Sequence, residues 1–156
     1  MLFRSDVGGR AVYGHCDLYD RLSGFVWDWK SKSKTQLLNH RRHGLGEKYI
    51  VQAQLYGHAW HRMGFPVNGV GCIFFPRDGE WDEIFARAIP FDPAVAQAAL
   101  LRADGMARLL TAVGFEAALE LYGSPVCEDR WCRFCPAPRA FRPDGAGDPN
   151  ADPFAI

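Results

Sequence analysis

The sequence lacks three features that would each point to a broad class of protein: an excess of one charge, a long apolar run and a targeting signal. Its 18 basic residues balance 18 acidic residues, so bulk charge does not draw it to nucleic acid. No apolar run approaches the roughly 20 residues of a membrane span, and the first residues, Met1 to Asp6, do not resemble a signal peptide. We therefore expect a cytoplasmic protein with no membrane partner, whose thiols stay reduced.

The composition is that of one folded domain followed by a tail. Hydrophobic residues make up 48% of the chain and charged residues 23%, which excludes disorder for most of its length. After Pro136 the sequence turns to proline, glycine, aspartate and alanine. We expect a domain over residues 1–138 and a flexible tail over residues 139–156.

Two short segments in the first third of the chain carry the residues with the clearest chemistry, Asp17 in one and Asp28 with Lys30 in the other. Residues two apart on a strand face the same side, so Asp28 and Lys30 project together. The apolar runs at Val12–Tyr13 and Phe25–Trp27 are predicted to be the two strands of a hairpin. The turn-like segment Arg21–Gly24 between them allows Asp17 to meet the other two residues across this hairpin. Facing carboxylates repel one another unless a cation lies between them, and their oxygens favour Mg²⁺ or Mn²⁺. The pattern predicts metal-assisted phosphodiester hydrolysis; the alternative is a solvated strand edge.

A helical segment from Glu47 to Met63 supplies two further polar side chains. Gln52 and Tyr56 are four residues apart within it, so they lie on the same face of the helix. Their presence favours the functional interpretation of Asp17, Asp28 and Lys30.

The rest of the chain up to the C-terminal cysteines is predicted to have a structural role. The segments 65–75 and 80–90 are predicted to be strands, and Asp92 followed by Pro93 predicts the start of another helix. The element order β-β-α-β-β-α predicts an α/β fold with a mixed central sheet flanked by helices.

The motifs G-x-x-D, D-x-K and Q-x-x-x-Y, in this order, resemble the PD-(D/E)XK nuclease superfamily. The resemblance is to its RecB-like branch, which includes CRISPR-associated and phage exonucleases with an iron–sulfur cluster. It implies that Asp17 and Asp28 bind Mg²⁺ or Mn²⁺ and that Lys30 serves the attacking water. It also implies that Gln52 and Tyr56 support the site and the DNA strand. By resemblance the protein is a metal-dependent deoxyribonuclease with a restriction-endonuclease-like core, an exonuclease acting on single-stranded ends.

Three of the five cysteines, Cys127, Cys132 and Cys135, are closely spaced near the C-terminus. This spacing suits a metal or a cluster better than a disulfide framework. In the branch that the chain resembles, three such cysteines and one far upstream bind a [4Fe–4S] cluster, which implies such a cluster here, with zinc as the alternative. The other two, Cys16 and Cys72, lie in apolar runs and are expected to pack as small hydrophobic residues.

The N-terminal part of the family pattern is absent from this sequence. The branch has a cysteine and an acidic helix before its first motif, whereas the only acid before Gly14 here is Asp6. The core is therefore expected to lack its first helix. Two alternatives to an active nuclease follow: an inactive nucleic-acid-binding or assembly module of the same fold, and a fragment completed by a partner chain.

A basic run follows the D-x-K motif, with no acid from Ser31 to Gly46. Such a run suits the phosphate backbone of DNA; the alternative is a solvated surface. The residues expected to bind nucleic acid here are Lys32, Lys34, Arg41 and Arg42.

Overall fold

The computed structural model describes residues 2–7 and 10–122. The chain divides into two compact units, Met1–Arg108 and Leu109–Ile156. None of the helices in the described ranges is long and apolar enough to cross a membrane. The elements are β1 (Leu2–Val7), β2 (Arg10–His15), β3 (Leu18–Asp20), β4 (Phe25–Lys32), α1 (Lys34–His43), α2 (Glu47–Arg62), β5 (Gly69–Pro76), a 3₁₀ turn (Trp81–Glu83), β6 (Phe85–Pro90), α3 (Pro93–Val113) and α4 (Phe115–Tyr122).

Four strands of the first unit form a mixed sheet in the order β3-β4-β5-β6. The pairs β3–β4 and β5–β6 are antiparallel, whereas β4 and β5 are parallel. Parallel strands need a crossover connection, which α1 and α2 provide. Strands β1 and β2 form a separate antiparallel pair. The predicted α/β class, with a mixed sheet flanked by helices, is confirmed.

The hairpin that brings Asp17 to Asp28 is built differently from the sequence prediction. The apolar run before Asp17 is β2, and it pairs with β1 and not with β4. The antiparallel partner of β4 is the three-residue strand β3, reached through the predicted turn at Arg21–Gly24. Gly24 has a φ of 70°, which glycine adopts without strain, and its N–H donates to the carbonyl of Asp20 at 2.8 Å. The tight return of the chain into β4 therefore depends on glycine at this position.

Both predicted scaffold strands begin later than the sequence indicates. The strand predicted over 65–75 begins at Gly69, and the one predicted over 80–90 begins at Phe85. The segment before Phe85 forms the 3₁₀ turn, in which the Glu83 carboxylate accepts a hydrogen bond from the N–H of Glu80 at 3.2 Å. Local hydrogen bonds of this kind compete with strand pairing.

The basic run, to which no element is assigned from the sequence, forms α1. Ser33 is its N-cap residue, and the side chain of Gln36 accepts a hydrogen bond from the N–H of Ser33 at 3.3 Å. This is one half of a capping box, which favours a helix start.

The core lies between the sheet and α2. The largest side chains that are almost fully buried are Val26, Val70, Cys72 and Phe74. Cys16 is also buried, and Trp60 Nε1 donates to its sulfur at 3.0 Å. The expectation that Cys16 and Cys72 pack as small hydrophobic residues is confirmed.

Candidate functional site

Strand β4 places Asp28 and Lys30 on the face of the sheet that α2 covers. Asp28 is only 5% exposed and forms an ion pair with the partly buried Lys30. Trp29 lies between them on the strand and is 54% exposed, packing against Phe75. The prediction that Asp28 and Lys30 project to the same side of the strand is confirmed.

Asp17 reaches this pair from the segment between β2 and β3, outside either strand. Its Oδ2 accepts a hydrogen bond from the backbone N–H of Trp29 at 2.7 Å. Because Leu18 pairs with Trp27 in the hairpin, Asp17 lies one step further along, opposite Asp28. The prediction that Asp17 meets the D-x-K motif across a hairpin is confirmed.

Helix α2 adds the two polar side chains that the sequence places on one helical face. The side-chain oxygen of Gln52 accepts a hydrogen bond from Lys30 Nζ at 3.0 Å. Its Nε2 donates to the hydroxyl of Tyr56 at 3.0 Å, which sets the orientation of the amide. Asp28, Lys30, Gln52 and Tyr56 therefore form one continuous row of polar contacts between β4 and α2.

Burial and the charge of the ion-pair partner shift the pKa values of Asp28 and Lys30 in opposite directions. Burial raises the pKa of Asp28, the hydrogen bond and charge of Lys30 partly offset this, and the negative charge of Asp17 raises it further. Burial lowers the pKa of Lys30, but the hydrogen bond and charge of Asp28 outweigh it, so this pKa is raised overall. Lys30 is thus a cation at neutral pH. It can orient water or stabilise an anion but cannot accept a proton.

Asp17 and Asp28 fit a magnesium or manganese ion by the chemistry of their donors. Asp28 Oδ2 is a buried carboxylate oxygen, paired with the Lys30 ammonium. Mg²⁺ commonly takes one or two carboxylates and completes its shell with water and substrate phosphate oxygens. Within the described ranges no group of three or more His, Cys, Asp or Glu side chains could hold a metal ion. Asp17 and Asp28 alone would leave most ligands of such an ion to water and substrate oxygens.

Two of the residues predicted to bind nucleic acid, Lys34 and Arg41, contact the 3₁₀ turn. Lys34 Nζ lies 3.2 Å from Glu83 Oε1. Arg41 donates to the backbone oxygen of Glu83 at 2.6 Å, and its guanidinium lies 4.8 Å from the centroid of the Phe85 ring. Arg42 is exposed on α1. Lys34 and Arg41 thus connect α1 to the turn before β6.

Tyr49 is a site residue that the sequence analysis does not include. Its ring centroid lies 5.3 Å from Lys30 Nζ and 5.1 Å from Lys32 Nζ. Tyr49 precedes Gln52 by three residues and Tyr56 by seven, so it belongs to the same helical face. That spacing is the signal by which it could have been found.

Gln54 is a second omitted residue, with a structural role. It is 2% exposed, its Nε2 donates to the carbonyl of Pro90 at 2.9 Å, and its side-chain oxygen accepts from the N–H of Asp92 at 2.8 Å. Gln54 thereby joins α2 to the end of β6. A polar residue among apolar neighbours in the sequence does not reveal such a role.

The predicted cluster ligands Cys127, Cys132 and Cys135, and the predicted tail over 139–156, lie outside the described residues. The [4Fe–4S] cluster and its zinc alternative therefore stay predictions.

Comparison of the chain with protein-family models, with curated proteins and with solved structures gives no match in any of the three.

Proposed function

We propose that the protein is a metal-dependent deoxyribonuclease that hydrolyses phosphodiester bonds, as an exonuclease acting on single-stranded ends. One observation supports this most strongly. Three motifs far apart in the sequence contribute Asp17, Asp28, Lys30, Gln52 and Tyr56 to one polar constellation.

Each side chain of the site has its own role in the proposed reaction. Asp17 and Asp28 would hold Mg²⁺ or Mn²⁺, which would supply Lewis acidity toward a phosphate oxygen and make a water molecule more acidic. Lys30 is a protonated donor beside Asp28 and stabilises the negative charge that develops on the phosphate. Gln52 holds the ammonium of Lys30, and Tyr56 holds Gln52. The helix thus fixes the position of the lysine.

A second candidate is a nucleic-acid-binding or assembly module that does not hydrolyse DNA. The Asp28–Lys30 ion pair supports it, because the ammonium neutralises the carboxylate that a metal ion would otherwise need. The same ion pair is equally compatible with a fragment that a partner chain completes.

Cleavage of a labelled single-stranded oligonucleotide with Mg²⁺ or Mn²⁺ distinguishes the two candidates. We expect Asp17→Asn and Asp28→Asn each to lower the cleavage rate at least about a hundredfold, because each removes a charged metal ligand. Asp20→Asn is the matched control, since Asp20 belongs to the same hairpin but accepts hydrogen bonds from the turn residues Leu22 and Ser23.

The wild-type protein decides between the candidates. DNA binding without metal-stimulated cleavage would favour the inactive module. Undiminished cleavage by Asp28→Asn would show that the assignment of the metal site is wrong.

A further inference from the structure

One aromatic ring holds the two lysines of strand β4. Lys30 Nζ and Lys32 Nζ lie 5.3 Å and 5.1 Å from the centroid of the Tyr49 ring, both within the range of a cation–π interaction. The ring itself is held by His40, at 5.4 Å between centroids, and by Phe74, at 6.2 Å. These contacts fix the position of the Tyr49 ring in the absence of a ligand.

The two ammonium groups differ in their partners. Lys30 is paired with Asp28 and hydrogen-bonded to Gln52. Among the described residues no carboxylate pairs with Lys32. The two ammonium groups repel each other because they share one ring, and an anion bound at Lys32 would relieve this repulsion. Lys32 thus lies next to the proposed site, and no carboxylate in the described part of the chain neutralises its charge.

The spacing of Lys30 and Lys32 along β4 indicates which kind of anion fits them. Residues two apart on a strand are about 6–7 Å apart. Successive phosphates of an extended single strand have a similar separation. Lys34, the next basic residue in the sequence, is the first residue of α1, and its charge is already paired with Glu83.

On the basis of the nuclease function proposed above, we infer that Lys32 binds the phosphate next to the scissile one and that Tyr49 is the positioning residue for both lysines. The ligand is the backbone of single-stranded DNA. This subsite accounts for one phosphate contact beyond those of the hydrolytic centre.

The salt dependence of DNA binding tests the subsite without any need for cleavage. The affinity for an oligothymidine is measured over a series of salt concentrations with a chelator present, so that no hydrolysis occurs. Each phosphate contact contributes about 0.7 to the slope of log affinity against log salt for a single strand, and Lys32→Gln should make the slope shallower by about that amount. Lys34→Gln removes the same charge two residues away and should change the slope less, because Glu83 already neutralises it.

Tyr49 is tested by two substitutions of different chemistry. Tyr49→Leu keeps apolar bulk but removes the ring, and it should reduce the slope as Lys32→Gln does. Tyr49→Phe keeps the ring and should restore the slope relative to Tyr49→Leu. Ring-current shifts of the lysine Hε protons, measured by NMR, should be present with Phe and lost with Leu. These shifts report the contact itself independently of binding and of overall stability.

The outcomes separate this inference from the proposed function. The subsite would be overturned if Lys32→Gln and Lys34→Gln changed the slope equally. It would also be overturned if Lys32→Gln and Tyr49→Leu both kept the wild-type slope. Either result would hold even if cleavage depends on Asp28. The expected slopes in a protein that does not cleave DNA would support the subsite and contradict the nuclease. Absence of DNA binding by the wild-type protein would overturn both.

Discussion

Cys72 and Asp28 lie side by side on parallel strands, and burial changes the ionisation of both. The two residues are register partners between β4 and β5. Burial, reinforced by the charge of Asp28, raises the pKa of Cys72 to about 12. A thiol must lose its proton to bind a metal or to react. Cys72 is therefore protonated at neutral pH and packs as a small hydrophobic residue.

This raised pKa predicts a specific loss of stability in alkali. The pKa of an unfolded cysteine is 9.0, whereas that of folded Cys72 is about 12. Between these values the unfolded chain releases a proton that the folded chain keeps, so the free energy of unfolding falls as the pH rises above 9, by up to about 1.4 kcal/mol per pH unit. Cys72→Ala should lower stability at pH 7 through the cavity but flatten the decline above pH 9.

Urea unfolding at pH 7, 9 and 10 measures both effects. Titration of lysines and tyrosines is common to the two proteins, so the difference between them isolates the thiol. Parallel declines in wild type and variant would contradict the burial argument.

At the scale of elements, the approach of α2 to the sheet decides whether the site can form. A Cβ atom at Gly57 would come within 2.6 Å of Val70 Cγ1 and 2.8 Å of Phe91 Cδ2. Such distances are too short for real contacts, so α2 lies this close to β5 because residue 57 has no side chain. The same closeness brings Gln52 into hydrogen-bond range of Lys30.

Two glycine-to-alanine substitutions in helices should therefore have opposite effects. Alanine favours a helix over glycine by about 1 kcal/mol. No atom of the described residues would lie within 4 Å of a Cβ at Gly105 in α3, so Gly105→Ala should stabilise the protein by about that amount. Gly57→Ala should destabilise it by about 1–3 kcal/mol, because overpacking exceeds the gain in helix propensity. Thermal or urea unfolding measures both changes, and stabilisation by Gly57→Ala would refute the proposed close packing.

The prediction of elements from the sequence succeeds where the signal is local. The helix predicted from Glu47 begins there, and Asp92 accepts a hydrogen bond from the N–H of Ala94 at 2.9 Å at the start of α3. The prediction is wrong about which strand lies beside β4 and about where β5 and β6 begin. Caps and turns depend on residues a few positions apart, whereas strand pairing depends on contacts between distant segments.

For the whole molecule, the C-terminal cysteines predict a metal content that can be measured directly. We expect anaerobically purified protein to contain iron, and Cys132→Ser to reduce the iron content severalfold, because a closely spaced trio provides most ligands of a cluster. Cys16→Ser is the control, since Cys16 is buried against Trp60. Zinc in place of iron would support the alternative metal. No iron or zinc, together with unchanged stability of Cys132→Ser, would show that the trio binds neither.

The sequence by itself determined that Asp28 and Lys30 share one face of a strand, that a turn returns Asp17 to them, and that Gln52 and Tyr56 share one helical face. These relations follow from the two-residue period of a strand and the 3.6-residue period of a helix, which any chain must obey.

Only the tertiary structure decided which of these faces meet. Tyr49 reaches both Lys30 and Lys32, whereas Lys34 and Arg41, from the same basic run, are paired with Glu83. No local period encodes these contacts, because each joins segments brought together by the parallel crossover and by the close packing of α2 on β5.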